Sequence, residues 1–472
     1  MLRTKIICTL GPATSDLEVI REMVRGGMDV ARLNMAHGDR ASHRRMIDAV
    51  RIASEAEGRT IAVLADLSGP KIRVGSLAEP IALRPGDRIT MTFEDQAQPG
   101  QIPTTYAGLV QDLERGACVA VNDGLIELEC QEVDGAEAVF EVLRGGVVRS
   151  NQGINVPTGL MATPSLTPKD IEDLDFVLDQ QVEYVGMSFV RTGSDVAELK
   201  DRLAGRALVV AKIEMARALA SIDDILGVSD MVMVARGDLG VELPFEAVPL
   251  AQKQIIQQAN FRVRPVITAT QMLESMIGHS RPTRAEVSDV ANAVLDGTDA
   301  VMLSGETAMG RYPLLALDAI VRIVREIEAS GVLAGGPSYL GDPTHQDRAG
   351  ASPTEHAIAI GTVDATRHLG APAVLVLTSS GFSARLVSSH RPPVPIFAVT
   401  TDPKTHSQLA AVWGVESVLA PKDGVSYKSL TDCGKQAIVE SGIGSPGQAV
   451  VVTAGMPFHR RGTTNTLRVE RL

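Results

Sequence analysis

Two short segments hold the residues best suited to chemistry. Lys212-Ile213-Glu214 closes an apolar run, and Asp238 stands 24 residues after Glu214, within Ala235-Arg236-Gly237-Asp238-Leu239-Gly240. Two carboxylates, one beside a lysine and the other beside an arginine, suit a divalent cation that holds an anionic substrate. Charged residues at strand ends also cap helices, and the local pattern alone fits both readings. Each segment follows an apolar run, 208–211 and 231–234, of the continuous kind that marks buried parallel strands. In a (β/α)8 barrel the chemistry lies at the C-terminal ends of such strands.

Eight such runs, at 6–10, 30–35, 61–67, 184–189, 208–213, 231–235, 265–270 and 300–304, alternate with helical patterns such as 16–25 and 40–57. That alternation predicts an α/β fold with a parallel sheet, and eight strands predict a TIM barrel. Polar residues at the strand ends are Arg32, Asn34, Asp66, Lys212, Glu214, Arg236, Asp238, Thr268, Thr270, Ser304 and Glu306, all expected at one mouth. They include no cysteine nucleophile, Ser–His pair or phosphate loop. They suit a phosphorylated carboxylate and electrostatic stabilisation of a moving phosphoryl group. Backbone N–H groups at Gly237-Asp238 suit a carboxylate, or Gly237 makes a tight turn, or both. Thr270, Gln271 and Glu274 equally fit a helix start.

Between the third and fourth runs the pattern changes. Short β-like stretches such as 87–93 and 117–121, with a turn signal at Asn122-Asp123-Gly124, predict a small β-barrel lid inserted in a barrel loop. Beyond the eighth run, a Gly- and Pro-rich linker starts at Gly335-Gly336-Pro337 and ends near 352. Apolar runs at 373–377, 396–399, 415–419 and 450–453, with an alternating 465–469, then predict a doubly wound α/β domain. The expected division is barrel over 1–72 and 160–335, lid over 73–159 and C-terminal domain over 336–472.

The chain has 472 residues and is 44% hydrophobic, enough for a large core without metals or disulfides. Its net charge of −12 and the lack of basic runs mixed with aromatics disfavour nucleic acid as a partner. Cys8, Cys118, Cys130 and Cys433 have no metal-site or disulfide spacing, and Cys8 reads as a small buried thiol. No signal peptide or membrane-spanning run is evident, so a cytoplasmic protein is expected.

Several stretches together identify a family. The chain resembles pyruvate kinase over essentially its whole length. The likeness is carried by TKIICTLGPA at 4–13, ARLNMAHG at 31–38, DLSGPKIR at 66–73, AKIE at 211–214 and MVARGDLGVE at 233–242. The longest stretch, 265–313, includes ITATQMLESM, RPTRAEVSDVANAVLDGTDA and SGETA. The resemblance implies transfer of phosphoryl from phosphoenolpyruvate to ADP, giving pyruvate and ATP, with Mg2+ or Mn2+ held by Glu214 and Asp238. It implies substrate contacts from Arg32, Lys212, Gly237, Asp238 and Thr270. Lys212 would neutralise the phosphoryl and enolate charge, and Thr270 with Ser304 would protonate the enolate. Asn34, His37 and Arg73 fall at nucleotide-side positions. The inserted domain would act as a lid, and the assembly would be a homotetramer.

The chain departs from the family pattern in ways that matter. Ala36 stands where the family often has Ser, Leu67 where it has Thr, Lys71 where it has Glu and Val74 where it has Thr. Gln152 and Met309 replace lysines near the nucleotide. Many family members hold a monovalent cation with Asn, Ser, Asp and a Thr carbonyl. Here Lys71, expected beside Asp66, would supply that charge, so potassium is not required. In the C-terminal domain, Thr378, Ser379, Ser380, Gly381 and Ser383 at a helix start form either an N-cap or a phosphate site. The resemblance favours a phosphorylated effector there, with Gly462-Thr463-Thr464 and Arg460 or Arg461 closing over it. A metal-dependent enolate lyase and a weakly active, metabolite-sensing paralogue are the rival readings. Turnover with phosphoenolpyruvate and ADP separates all three.

Overall fold

The computed structural model describes residues 1–109, 112–122, 124–135, 137–156, 164–333, 336–337, 350–456 and 464–472. Short apolar runs build a closed parallel barrel. Its strands are β1 (Lys5–Thr9), β2 (Val30–Asn34), β3 (Ala62–Asp66), β4 (Tyr184–Met187), β5 (Leu208–Ile213), β6 (Met231–Ala235), β7 (Val266–Ala269) and β8 (Ala300–Leu303). β8 returns to pair with β1, Lys5 opposite Ala300. Side chains alternate along each strand. Ile7, Leu64, Val210, Met233 and Ile267 fill the interior, while Ile6, Cys8, Val63, Val209 and Val232 pack outward under the helices. Several of the surrounding helices start at strong caps. Asp16 accepts from Glu18 and Val19 N–H, and Thr167 and Thr283 form reciprocal capping boxes.

Six strands stop short of the apolar runs that encode them, β1, β2 and β3 by one residue each. β4 ends at Met187 rather than 189, β7 at Ala269 rather than 270, and β8 at Leu303 rather than 304. Phe189 and Thr270 have φ of 55° and 63°, and Ser304 has ψ of −99°, so the chain turns out of the sheet at the mouth.

Between β3 and β4 a nearly closed seven-stranded sheet wraps its own apolar core, which includes Met91, Leu128 and Phe140. Its entering strand, Ile72–Arg73, pairs with its leaving strand, Gly153–Asn155. The insert is therefore attached through one double-stranded hinge. Gly124 lies so near Val241, beside the mouth, that a Cβ there would come within 3.8 Å of it.

The C-terminal sheet contains β9 (Val374–Leu377), β10 (Ile396–Thr400), β11 (Val415–Leu419), β12 (Ala449–Ala454) and β13 (Thr466–Arg471), in the order β11-β10-β9-β12-β13. β13 lies at the sheet edge and pairs antiparallel with β12. This unit closes the barrel floor. Ala410 and Ala411 join the interior cluster, and Tyr184 donates its hydroxyl to the Gln408 carbonyl at 2.7 Å. Among the described residues no helix is long and apolar enough to cross a membrane.

Candidate active site at the barrel mouth

β2, β3 and β5 each deliver a charged side chain at the end of a buried run. Arg32 gives Nε and Nη2 to Asp66 Oδ2 at 2.9 and 2.6 Å, and Nη1 to Thr9 Oγ1 at 2.9 Å. Lys212 Nζ lies 2.8 Å from Glu214 Oε1, 3.3 Å from Asp66 Oδ1 and 2.8 Å from Ser188 Oγ. The second Glu214 oxygen accepts the Phe189 N–H at 2.6 Å. The pocket for Asp66 depends on Gly186, where a Cβ would meet Asp66 Oδ1 at 2.8 Å.

The charges are mutually arranged. Burial opposes a charged Lys212, but Asp66 and Glu214 outweigh it and raise the lysine pKa. Burial likewise opposes an ionised Asp66, yet Lys212 and Arg32 hold its carboxyl below the usual range. For Glu214 burial dominates, Lys212 pulls against it, and repulsion from Asp238 adds to it, so its pKa rises. Two hard oxygen donors that repel each other across a mouth fit a divalent cation, whose charge relieves that repulsion.

β6 and β7 shape the other wall. The Thr270 hydroxyl accepts the Gly237 N–H at 2.8 Å. That N–H is therefore engaged by a side chain. Arg236 is corrected: it turns away from the mouth. Its Nη2 reaches the Thr270 and Gln271 carbonyls at 2.8 and 3.1 Å, and its Nη1 lies 2.7 Å from Asp289 Oδ1. This fork clamps two consecutive left-handed residues, Thr270 and Gln271 (φ 63° and 54°), where a helix start was the alternative. Thr268 is buried against Thr298 and does not face the mouth. Glu306 is spent on the backbone N–H groups of Leu273 and Ser304. Ser304 Oγ is buried without a hydrogen-bond partner.

On the lid side, Lys71 Nζ sits 3.6 Å from Asp238 Oδ1. The sequence reading put it beside Asp66. Asp66 is buried and already carries Arg32 and Lys212, whereas Lys71 follows Gly69 (φ 65°) into the hinge and meets the more exposed Asp238. His37 is lowered by burial and then by Arg73, Lys71 and Arg32, so three cations converge near it. Asn34 Oδ1 accepts the Ala36 N–H at 3.1 Å, and Arg73 Nη1 donates to the Asn151 carbonyl at 3.0 Å. Met309 is largely exposed.

Sequence reasoning missed Thr9, Gly186 and Ser188. The strand-end rule that selected Arg32 and Lys212 also selects Thr9 and Ser188, had the first and fourth runs been searched.

In the C-terminal domain, Thr378 Oγ1 accepts the Gly381 N–H at 3.0 Å, and Gly381 (φ 74°) precedes the helix Phe382–Ser389. Ser383 and Thr464 hydroxyls meet at 2.7 Å, bringing the C-terminal segment onto this loop. The Ser379 carbonyl accepts from Thr405, and the Ser380 carbonyl accepts weakly from Arg385. Arg460, Arg461, Gly462 and Thr463 lie outside the described residues.

With this geometry in view, similarity to known proteins is informative. The pyruvate kinase barrel-domain family model matches residues 1–317, and the pyruvate kinase alpha/beta-domain model matches residues 356–470. Pyruvate kinases of Mycobacterium intracellulare and Mycobacterium tuberculosis are each 43% identical over 475 residues, covering 100% of this chain and 98% of theirs. The pyruvate kinase of Geobacillus stearothermophilus is 41% identical, covering 99% of this chain and 80% of its own.

Proposed function

The chain belongs to the pyruvate kinase family, and from that premise we propose that it moves the phosphoryl group of phosphoenolpyruvate onto ADP. The products are ATP and, after protonation of the enolate, pyruvate. The observation that carries this reading is the Lys212 ammonium fixed among Glu214, Asp66 and Ser188 at the mouth, with Arg32 beside it. Fixed positive charge where phosphoryl and enolate charge develop is the main way such transfers are accelerated. Glu214 and Asp238 would hold Mg2+ or Mn2+, which supplies charge neutralisation and a template for substrate oxygens. Arg32 would orient the phosphoryl group, and Asn34, His37 and Arg73 would line the nucleotide side. Thr270, whose hydroxyl oxygen accepts from Gly237, keeps its proton for donation toward the enolate carbon, with Ser304 behind it. The lid, over 73–159 between barrel segments 1–72 and 160–335, would exclude water from the enolate. Steady-state turnover with phosphoenolpyruvate, ADP and Mg2+ tests the reading. Absence of ADP-dependent pyruvate formation would overturn it.

Three finer properties belong to the same proposal. Lys71 makes potassium unnecessary. The domain at 336–472 takes a phosphorylated effector on Thr378, Ser379, Ser380, Gly381 and Ser383, tested by screening sugar phosphates and nucleoside monophosphates at sub-saturating phosphoenolpyruvate. The active form is a cytoplasmic homotetramer, which light scattering would reveal.

A further inference from the structure

Lys212 has three acceptors, and they are not equivalent. Glu214 Oε1 at 2.8 Å belongs to a carboxylate that a divalent cation would also claim. Asp66 Oδ1, at the longer 3.3 Å, belongs to a carboxylate whose other oxygen already takes two hydrogen bonds from Arg32. Ser188 Oγ, at 2.8 Å, is the neutral one. Its own proton is committed, because it donates to the Leu67 carbonyl at 2.7 Å. A hydroxyl whose hydrogen is fixed in one direction presents its lone pairs in another, and here they meet the ammonium. Ser188 is 3% exposed and follows β4, where the chain leaves the sheet through Phe189 (φ 55°). The neighbouring Phe189 N–H holds Glu214 Oε2. One turn therefore fixes both the lysine and the carboxylate beside it.

We propose that Ser188 is a positioning residue that holds the Lys212 ammonium in place when the carboxylates are drawn toward metal and substrate. A neutral acceptor anchors the lysine without neutralising it, so its charge stays available for the transferring phosphoryl group and the enolate. This rests on the reading of Lys212 given above. It adds that the Leu67 backbone, through Ser188, sets where that charge sits.

The test compares Ser188→Ala, Ser188→Cys, Lys212→Met and the double variant Ser188→Ala/Lys212→Met in the full-length enzyme. Loss of a hydrogen bond to a charged group predicts a drop in kcat of about 10–100-fold for Ser188→Ala. KM for phosphoenolpyruvate should change much less, because the misplaced charge matters most in the transition state. Ser188→Cys keeps the volume but offers a weak acceptor, so it should also lose turnover. In the Lys212→Met background, Ser188→Ala should have almost no further effect, whereas a purely structural defect would persist there. Near-normal turnover of Lys212→Met would remove the underlying reading of the lysine. A Lys212→Met variant with strongly reduced but measurable turnover, together with full turnover of Ser188→Ala, full recovery in Ser188→Cys, or additive losses in the double variant, would overturn the Ser188 inference alone.

Discussion

Lys71 shows how much one side chain can decide. Its ammonium is a compact charge on a flexible stem, and it rests 3.6 Å from an Asp238 oxygen with both groups partly exposed. A pair of that kind is worth at most about 1 kcal/mol, so Asp238 is easily released for metal binding. Under the proposed reading, the freed lysine would bring a positive charge beside the substrate phosphoryl. A potassium ion about 4 Å from it would meet repulsion of about 4 kcal/mol at an effective dielectric near 20. Ala36 offers no hydroxyl ligand, which weakens the potassium site further. The expected outcome is near-maximal turnover in potassium-free buffer with a bulky organic counter-ion. Lys71→Glu should lower turnover there, and potassium should restore it only in part. A large stimulation of the unmodified enzyme by potassium would refute the assignment.

At the scale of elements, the turns that end the strands do the positioning. Thr270 and Gln271 are non-glycine residues in left-handed backbone, a conformation that costs about 1–3 kcal/mol each. The planar Arg236 fork on their carbonyls holds them there. Arg236→Lys keeps the charge but loses the fork, so the Thr270 hydroxyl should drift and turnover fall on the order of 10²-fold. Steady-state kinetics beside a melting curve would detect this. These turns also mark where the sequence stops being legible. Apolar runs disclose the eight strands, because burial dictates them. The exit of Phe189, Thr270 and Ser304 from the sheet is dictated instead by single polar contacts across the mouth, which leave no periodic trace. Hence Lys71 was assigned to the wrong carboxylate, whereas Lys212, Glu214 and Asp238 could be found from spacing, and Ser188 lies within reach of the same strand-end rule. Glu242 ends the helix Arg236–Glu242. Burial, with a smaller push from Asp238, lifts Glu242 to about 7 despite a hydrogen bond from the Ala216 N–H. Glu242 lines a small cavity at the lid hinge with Lys71, Ile154 and Phe189. Its folded pKa exceeds the unfolded value, so the folded state holds the extra proton and loses stability as pH rises from about 4.5 to about 7. Glu242→Gln should therefore raise the melting temperature at pH 8 and not at pH 4. The gain is about 2 kcal/mol at most once its partial exposure is allowed for. An equal shift at both pH values would contradict a raised Glu242 pKa.

For the molecule as a whole, the floor of the barrel matters as much as its mouth. Arg391 (φ 49°) lies just beyond the helix Phe382–Ser389, which itself begins at the proposed effector loop. Its guanidinium reaches both oxygens of Asp299 at 3.0 and 3.1 Å, Asn260 Oδ1 at 2.7 Å and the Gly297 carbonyl at 2.6 Å. It also stacks 4.8 Å from the Trp413 ring centroid. Asp299 in turn holds the Val266 N–H at the start of β7, the strand whose far end presents Thr270. Both partners are 3% exposed, so removing one leaves a buried charge without its counter-charge, which costs about 3–5 kcal/mol. Other contacts also join the two units: Ala410 and Ala411 in the barrel's interior cluster, Val263 in a C-terminal one, Tyr184 on the Gln408 carbonyl, Lys5 Nζ on the Val415 carbonyl and Thr60 Oγ1 beside His406 Nε2. Arg391→Ala should therefore weaken the union between the units more than either unit itself. Calorimetry of the variant should resolve a separate, earlier transition for the C-terminal domain, and limited proteolysis should begin in the connecting segment. If phosphorylated activators act through this helix, the same variant should keep effector binding, measured directly, while losing the effector's influence on KM for phosphoenolpyruvate. A single cooperative transition near that of the unmodified enzyme, with activation intact, would show that the two units are held together elsewhere.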